Sequence, residues 1–129
     1  RSSSSSWAQG GIAAALDPDD SPTEHARDTL LAGDGLCNPH LVEALTEAAP
    51  SEVRRLADAG VAFERTADGG WVLSREAAHR RPRIARIGGD RAGAAIVETL
   101  LRQRTIASSG MASWAPGCWP TPTEAAPAP

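Results

Sequence analysis

Half of the ten prolines in this chain fall after Thr105, in IASSGMASWAPGCWPTPTEAAPAP, a stretch with no sustained hydrophobic period and two tryptophans, Trp114 and Trp119, stranded among turn formers. Proline fixes φ and removes a backbone donor, so this density supports neither a helix face nor a ladder strand. Whatever packs is therefore confined to residues 1–105, and residues 106–129 read as a Pro/Ala/Gly-rich irregular or disordered tail.

Within the first 105 residues, helices announce themselves by their caps. Ser21 is placed as an N-cap, Pro22 as the first helical residue and Glu24 as the partner of a capping box, with Gly33 and Gly35 ending the helix. Asn38-Pro39 restarts the pattern, and Leu41, Val42 and Leu45 form an apolar stripe until Pro50 interrupts it. A shorter helix over 51–59 follows, with Val53 and Leu56 inward and Gly60 as its cap. The period then changes to two: VAFER and WVLSR, separated by TADGG, predict a β-hairpin with an Asp-Gly turn. Residues 83–87 predict a short strand, and GAAIVETLLRQ (93–103) a helix with Ile96, Val97, Leu100 and Leu101 on one side. Phe63 and four tryptophans are the only aromatic residues, so the core is built from Leu, Ile, Val and Ala, which bury modest area per residue. There are no internal repeats.

All thirteen basic residues are arginine. With the excess of Ala, Gly and Pro, this matches the codon bias of a GC-rich gene, so each arginine carries less functional information than usual. In the basic segment Arg75, Arg80, Arg81, Arg83, Arg86 and Arg91, some guanidiniums suit a dicarboxylate or a pyrophosphate, and most read as a solvated face. The net charge of −3 supplies no field toward nucleic acid or an anionic membrane. Cys37 and Cys118 form no C-x-x-C, and no signal peptide or long apolar span is present, which points to a reduced, cytoplasmic protein. Cys37 itself reads as a small, partly buried residue. His25 and Asp28 lie three apart on one helical face with no third or fourth ligand following, so a cap or ion pair is expected there and no metal site.

The opening RSSSSSWAQGGIAAAL admits two readings. Small hydroxyl side chains before a glycine pair let backbone approach a bulky planar or anionic ligand. A serine-rich linker has the same composition, and composition alone favours the linker.

The run S-S-S-W-A-Q-G-G-I-A-A-A-L (Ser4–Leu16) resembles the flavin-contacting loop of the succinate dehydrogenase, fumarate reductase and L-aspartate oxidase flavoproteins. The resemblance continues through D-P-D-D-S-P-x-x-H-x-x-D-T-L-x-A-G, G-L-C-N-P, A-x-x-E-V-R-R-L-A-D-A-G-V-A-F-E-R and L-S-R-E-A-A-H, in the order of the L-aspartate oxidases, and covers about Ser4 to Arg104. It implies an α/β fold, in which residues 1–105 are part of a Rossmann-like FAD-binding domain, mainly helices with a β-hairpin. It implies FAD as cofactor, contacted by Ser4, Ser5, Ser6, Trp7, Ala8, Gln9, Gly10 and Gly11. Ser4 stands where the dehydrogenases carry a histidine bonded to the flavin, so the FAD is expected to be held without a covalent bond.

Ser74-Arg75-Glu76-Ala77-Ala78-His79 is similar to the T-R-E-G-x-H block of L-aspartate oxidases, and dicarboxylate dehydrogenases lack its glutamate. Aspartate differs from succinate by one ammonium group, and a fixed carboxylate discriminates it through a charge-assisted hydrogen bond. Glu76 is thus the expected ammonium-recognising residue, and His79 a donor to a substrate carboxylate or the flavin edge, with a surface histidine as the equal alternative. The implied activity is oxidation of L-aspartate to iminoaspartate, with oxygen or fumarate as acceptor, in de novo NAD biosynthesis, where quinolinate synthase is the pathway partner. The chain departs from the family at Ala77 and Ala78, where glycine is usual, and at Asp90-Arg91-Ala92-Gly93, where D-x-T-G is usual. It has no G-x-G-x-x-G turn for the pyrophosphate, and the family's later substrate-binding arginines and histidine have no counterpart. As an internal piece, it is expected to be inactive alone. Two other classes stay open: a succinate dehydrogenase or fumarate reductase flavoprotein piece, and a non-enzymatic helical interaction module.

Overall fold

A computed structural model describes residues 4–89 and 91–110. A 3-10 turn at Ser4–Trp7 leads into β1 (Gly11–Ala13), followed by α1 (Pro22–Ala32), α2 (Pro39–Asp58), β2 (Leu73–Ser74), β3 (Ile84–Arg86) and α3 (Ala92–Gly110). The three strands form one antiparallel sheet in the order β1-β3-β2. Gly11 faces Arg86 across β1 and β3, and Ser74 faces Ile84 across β2 and β3. Three helices around a small sheet are an α/β arrangement, as expected.

The helix starts follow the caps. The Ser21 hydroxyl accepts from the Glu24 N–H at 3.2 Å and the Asn38 side chain from the Leu41 N–H at 3.3 Å. The capping box is only half closed, because the Glu24 carboxylate turns to Arg81 at 2.8 Å.

Two expectations about α2 are corrected. The helix runs without a break through Pro50, and its buried face is Val42, Thr46, Pro50 and Val53, whereas Leu41 and Leu45 are exposed. Pro50 removes one backbone bond, but the buried residues at 42, 46, 50 and 53 keep one stripe in register across it, and that packing carries the helix through.

The hairpin is thinner than its alternation predicts. VAFER contributes a single bridge, Arg65 to Trp71, and only Leu73–Ser74 of the second arm is strand. Val61 and Phe63 turn into the core instead of extending the ladder. That core joins Ala14, Leu16, Val53, Val61, Phe63, Ala85, Ile87 and Ala92, with the Phe63 ring edge-on to Trp71 at 5.4 Å. Helix α3 extends through Gly110, five residues into the segment read as irregular. The remainder of that segment, from 111 to 129, and Asp90 lie outside the described residues.

The serine run is not a free tether. The Gly93 N–H, in the first turn of α3, donates to the Ala8 carbonyl at 3.0 Å. A Cβ on Gly93 would lie 2.0 Å from the Ser5 carbonyl oxygen and 2.8 Å from the Ala8 Cβ. Glycine at 93 lets the helix start seat directly against the backbone of the 3-10 turn.

Candidate functional site

The face of the sheet next to the serine run carries a cleft of about 210 Å³ lined by Gly10, Ser74, Glu76, Ile84, Arg86 and Gly89. Its shape follows from the strand register. Gly11 packs so closely on β3 that a Cβ there would meet the Ala85 carbonyl oxygen at 2.2 Å, while Gly10, at φ +80°, has open space where a side chain would project. Ile84 and Arg86 alternate onto the same face of β3. The cleft thus brings Glu76 and the Gly10 end of the opening run to one place. One acidic and one basic residue, Glu76 and Arg86, line the same small space, a combination that suits a zwitterion. Arg86 also reaches Glu64 at 3.7 Å, and Glu64 accepts from the Gly89 N–H at 3.3 Å. Sequence reasoning did not single out Arg86 from its basic neighbours.

His79 does not line this cleft. Its ring stands edge-on to His25 at 5.3 Å, and its Nδ1 lies 3.4 Å from an Arg83 nitrogen. A guanidinium only donates, so Nδ1 accepts and the ring's N–H is left on Nε2.

Behind His79 sits a cluster that the sequence reading missed. Arg83 is 0% exposed, as is the Asp20 side chain, and Asp28 is 2% exposed. Arg83 grips Asp20 with two bonds, at 2.6 and 2.8 Å, and reaches Asp28 at 2.5 Å. Asp28 also accepts from the backbone N–H of Arg80 at 3.0 Å and from its Nε at 2.6 Å. Arg81 pairs with Glu24. Three carboxylates from α1 and the loop before it neutralise three arginines of the loop before β3. Arg75, Arg80, Arg86 and Arg91 are exposed, as expected of a solvated face, and Arg83 is the exception, fully buried. The ion pair anticipated at Asp28 is present. Among the described residues, no group of three or more His, Cys, Asp or Glu could hold a metal, and no helix is long and apolar enough to cross a membrane.

Burial alone would raise the Asp28 carboxyl, but the Arg80 N–H and the Arg83 and Arg80 guanidiniums outweigh it and hold it well below the usual carboxylate range. Asp20 is likewise lowered: burial opposes, and Arg83 and the Ser21 N–H prevail. His25 is lowered by burial first and by the Arg83 charge second, against the pull of Asp20 and Asp28. Its Nδ1 is buried without a hydrogen-bond partner among the described residues. All three groups hold fewer protons folded than unfolded, so stability rises with pH. Acid unfolding curves are expected to show stability declining below about pH 6.5, as unfolded His25 takes up a proton, and more steeply below about pH 4, as the two aspartates do. A stability flat from pH 7 to 3 would contradict this.

The residues of the opening run fit a flavin. Ser4, Ser5 and Gln9 expose polar side chains, Trp7 is 76% exposed, and Gly10 is open toward the cleft, while α3 supports the backbone from behind. Hydroxyl and amide donors beside an uncovered indole suit a ligand that is planar, partly apolar and rich in acceptors. At about 210 Å³ the cleft is smaller than the roughly 300–1,000 Å³ of a site enclosing a drug-sized ligand, and of the opening run only Gly10 lines it.

The FAD binding domain family matches residues 1–108. Over 98 residues the chain is 58% identical to an L-aspartate oxidase of Caulobacter vibrioides, covering 76% of this chain and 19% of that protein. Over 97 residues it is 53% identical to an L-aspartate oxidase of Agrobacterium fabrum, covering 75% and 19%. The fold superposes on Mycobacterium smegmatis Sdh1 in complex with UQ1 with a TM-score of 0.72 and 34% identity, covering 82% of this chain and 19% of that one. The chain thus spans about one fifth of the length of the curated relatives it matches.

Proposed function

Because the chain belongs to the FAD binding domain family, we propose that it supplies the flavin-facing loop and the amine-selecting loop of an L-aspartate oxidase. Bound FAD supplies the two-electron acceptor for converting L-aspartate to iminoaspartate. The chain's own residues bind and orient. Ser4 to Gly11 hold the isoalloxazine edge non-covalently, with the Ser4 hydroxyl where a covalent relative has its histidine. Glu76 accepts a charge-assisted hydrogen bond from the substrate ammonium. Arg86 offers a cation to a carboxylate in the same cleft, and His79, through its Nε2–H, is the proposed donor to a second carboxylate or the flavin edge. On this reading the FAD-binding unit ends near residue 105, the 129-residue chain is inactive alone, and the complete oxidase is a cytoplasmic enzyme opening de novo NAD biosynthesis, with quinolinate synthase consuming its product.

One observation carries the reading: Glu76 and Gly10 line the same cleft. The choice over a succinate dehydrogenase rests on Glu76, since a plain diacid offers it no donor. The test is a chimera in which the matched 98-residue segment replaces its counterpart in the Caulobacter vibrioides relative. Glu76→Gln is expected to lower kcat/KM for L-aspartate about 10- to 100-fold and to leave inhibition by succinate unchanged or stronger, because the amide accepts more weakly from an ammonium and repels no carboxylate. An unaltered preference for aspartate would refute the assignment.

A further inference from the structure

The Glu76 carboxylate makes no hydrogen bond or ion pair among the described residues, so what the fold fixes is the backbone from which it reaches the cleft. That backbone is the loop 75–82, flanked by Ser74 and Arg83, which the Arg83 N–H joins to the Ser74 carbonyl at 3.1 Å. Inside the loop the His79 N–H closes a turn onto the Glu76 carbonyl at 3.0 Å. The next residue is Arg80, whose N–H and Nε both end on the buried Asp28 carboxylate of α1. Asp28 is therefore the fixed point against which the Glu76–His79 turn is braced, and its own geometry is locked by Arg83.

We propose that Asp28 is a positioning residue for substrate selection: by pinning Arg80 through both its backbone N–H and its guanidinium, it holds the backbone from which Glu76 reaches the cleft beside Gly10. This rests on the reading of Glu76 as the ammonium-recognising group. The Ala77-Ala78 pair adds no side-chain anchor of its own to the turn, the half-exposed Arg81–Glu24 pair holds the loop only beyond Arg80, and His79 adds a longer contact to Arg83 at 3.4 Å and an edge-on contact to His25, so the two short bonds from Arg80 to Asp28 are the strongest polar anchors of the turn. A displacement of about 1 Å at such a group costs up to about 100-fold in rate.

Two measurements test this. In the 129-residue chain, Asp28→Asn is expected to speed amide exchange at His79 and Arg80 at least about tenfold relative to amides of α2, because an uncharged acceptor beside Arg83 holds the N–H less firmly. In the chimera, the same substitution is expected to lower the preference for aspartate over succinate, taken as succinate Ki over aspartate KM, by about tenfold. A general loss of stability would speed both regions together and leave the preference intact, and that result would overturn the proposal. Should Asp28→Asn fail to fold, Arg80→Ala decides. It removes a half-exposed guanidinium, leaves the Asp28–Arg83 pair in place, and is expected to lower the preference about threefold with little change in Tm; an unchanged preference would overturn the proposal. If Glu76→Gln also leaves the preference unmoved, the reading of Glu76 has failed, and the exchange measurement alone still decides whether Asp28 pins the loop.

Discussion

Arg83→Met is expected to destabilise the fold by about 3–5 kcal/mol, the range for removing one partner of a buried ion pair. Arg83 is fully enclosed and serves two buried carboxylates. Its loss strands Asp20, whose close bonds to side chains all come from this guanidinium, while Asp28 keeps Arg80. Against a typical total of about 5–15 kcal/mol, this is a large fraction of the stability. Urea unfolding would read it as a lowered midpoint with an unchanged slope. The cause is separable from lost packing: adding Asp20→Asn to Arg83→Met removes the stranded charge and is expected to recover about 1 kcal/mol or more. A cost under about 1 kcal/mol for Arg83→Met alone would show that water reaches the cluster and that the charges do not depend on one another.

Gly93→Val is expected to cost about 3 kcal/mol, at the upper end for overpacking in a close-packed contact. The first atom added would lie 2.0 Å from the Ser5 carbonyl oxygen; the helix backbone fixes where that Cβ stands and the oxygen is itself backbone, so neither a rotamer change nor a side-chain shift relieves it. The gain from removing a helical glycine, about 1 kcal/mol at most, is outweighed. The first turn of α3 must part from the 3-10 turn, breaking the Gly93–Ala8 bond and releasing the surface proposed to meet the flavin. Hydrogen exchange would show this as loss of protection at the Gly93 amide beyond that of the sheet. Retained protection there would mean that the turn and helix separate at little cost.

The sequence made the helix starts legible because capping is local. Ser21-Pro22 and Asn38-Pro39 satisfy the first backbone donors within a few residues, whatever the rest of the chain does. Pro50 misled for the complementary reason: its local penalty is real, but Val42, Thr46 and Val53 bury the same face, and that gain is tertiary. The hairpin misled because alternation in VAFER reports a half-buried segment and not whether a neighbouring strand is there to pair with it. At the site, the opening run is compatible with a linker on composition, and its docking onto α3 depends on Gly93, eighty-five residues beyond Ala8. Glu76 was found through family resemblance alone, since an isolated exposed glutamate carries no spacing signal. The buried charge cluster was the least legible feature. Its arginines look like a solvated basic run in an arginine-biased chain, and their partners lie 52 to 63 residues upstream.

The same long separation governs when the site comes into being. The β1–β3 pairing and the Asp20–Arg83 contact each join chain ends more than sixty residues apart, so neither exists until the later half has been made. At roughly 5–20 residues per second of synthesis, Gly10 leaves the ribosome about 3–13 seconds before Glu76 does. Through that interval the strand edge of Gly11–Ala13 has no β3 to pair with, and an unpaired edge is a template for pairing with other chains.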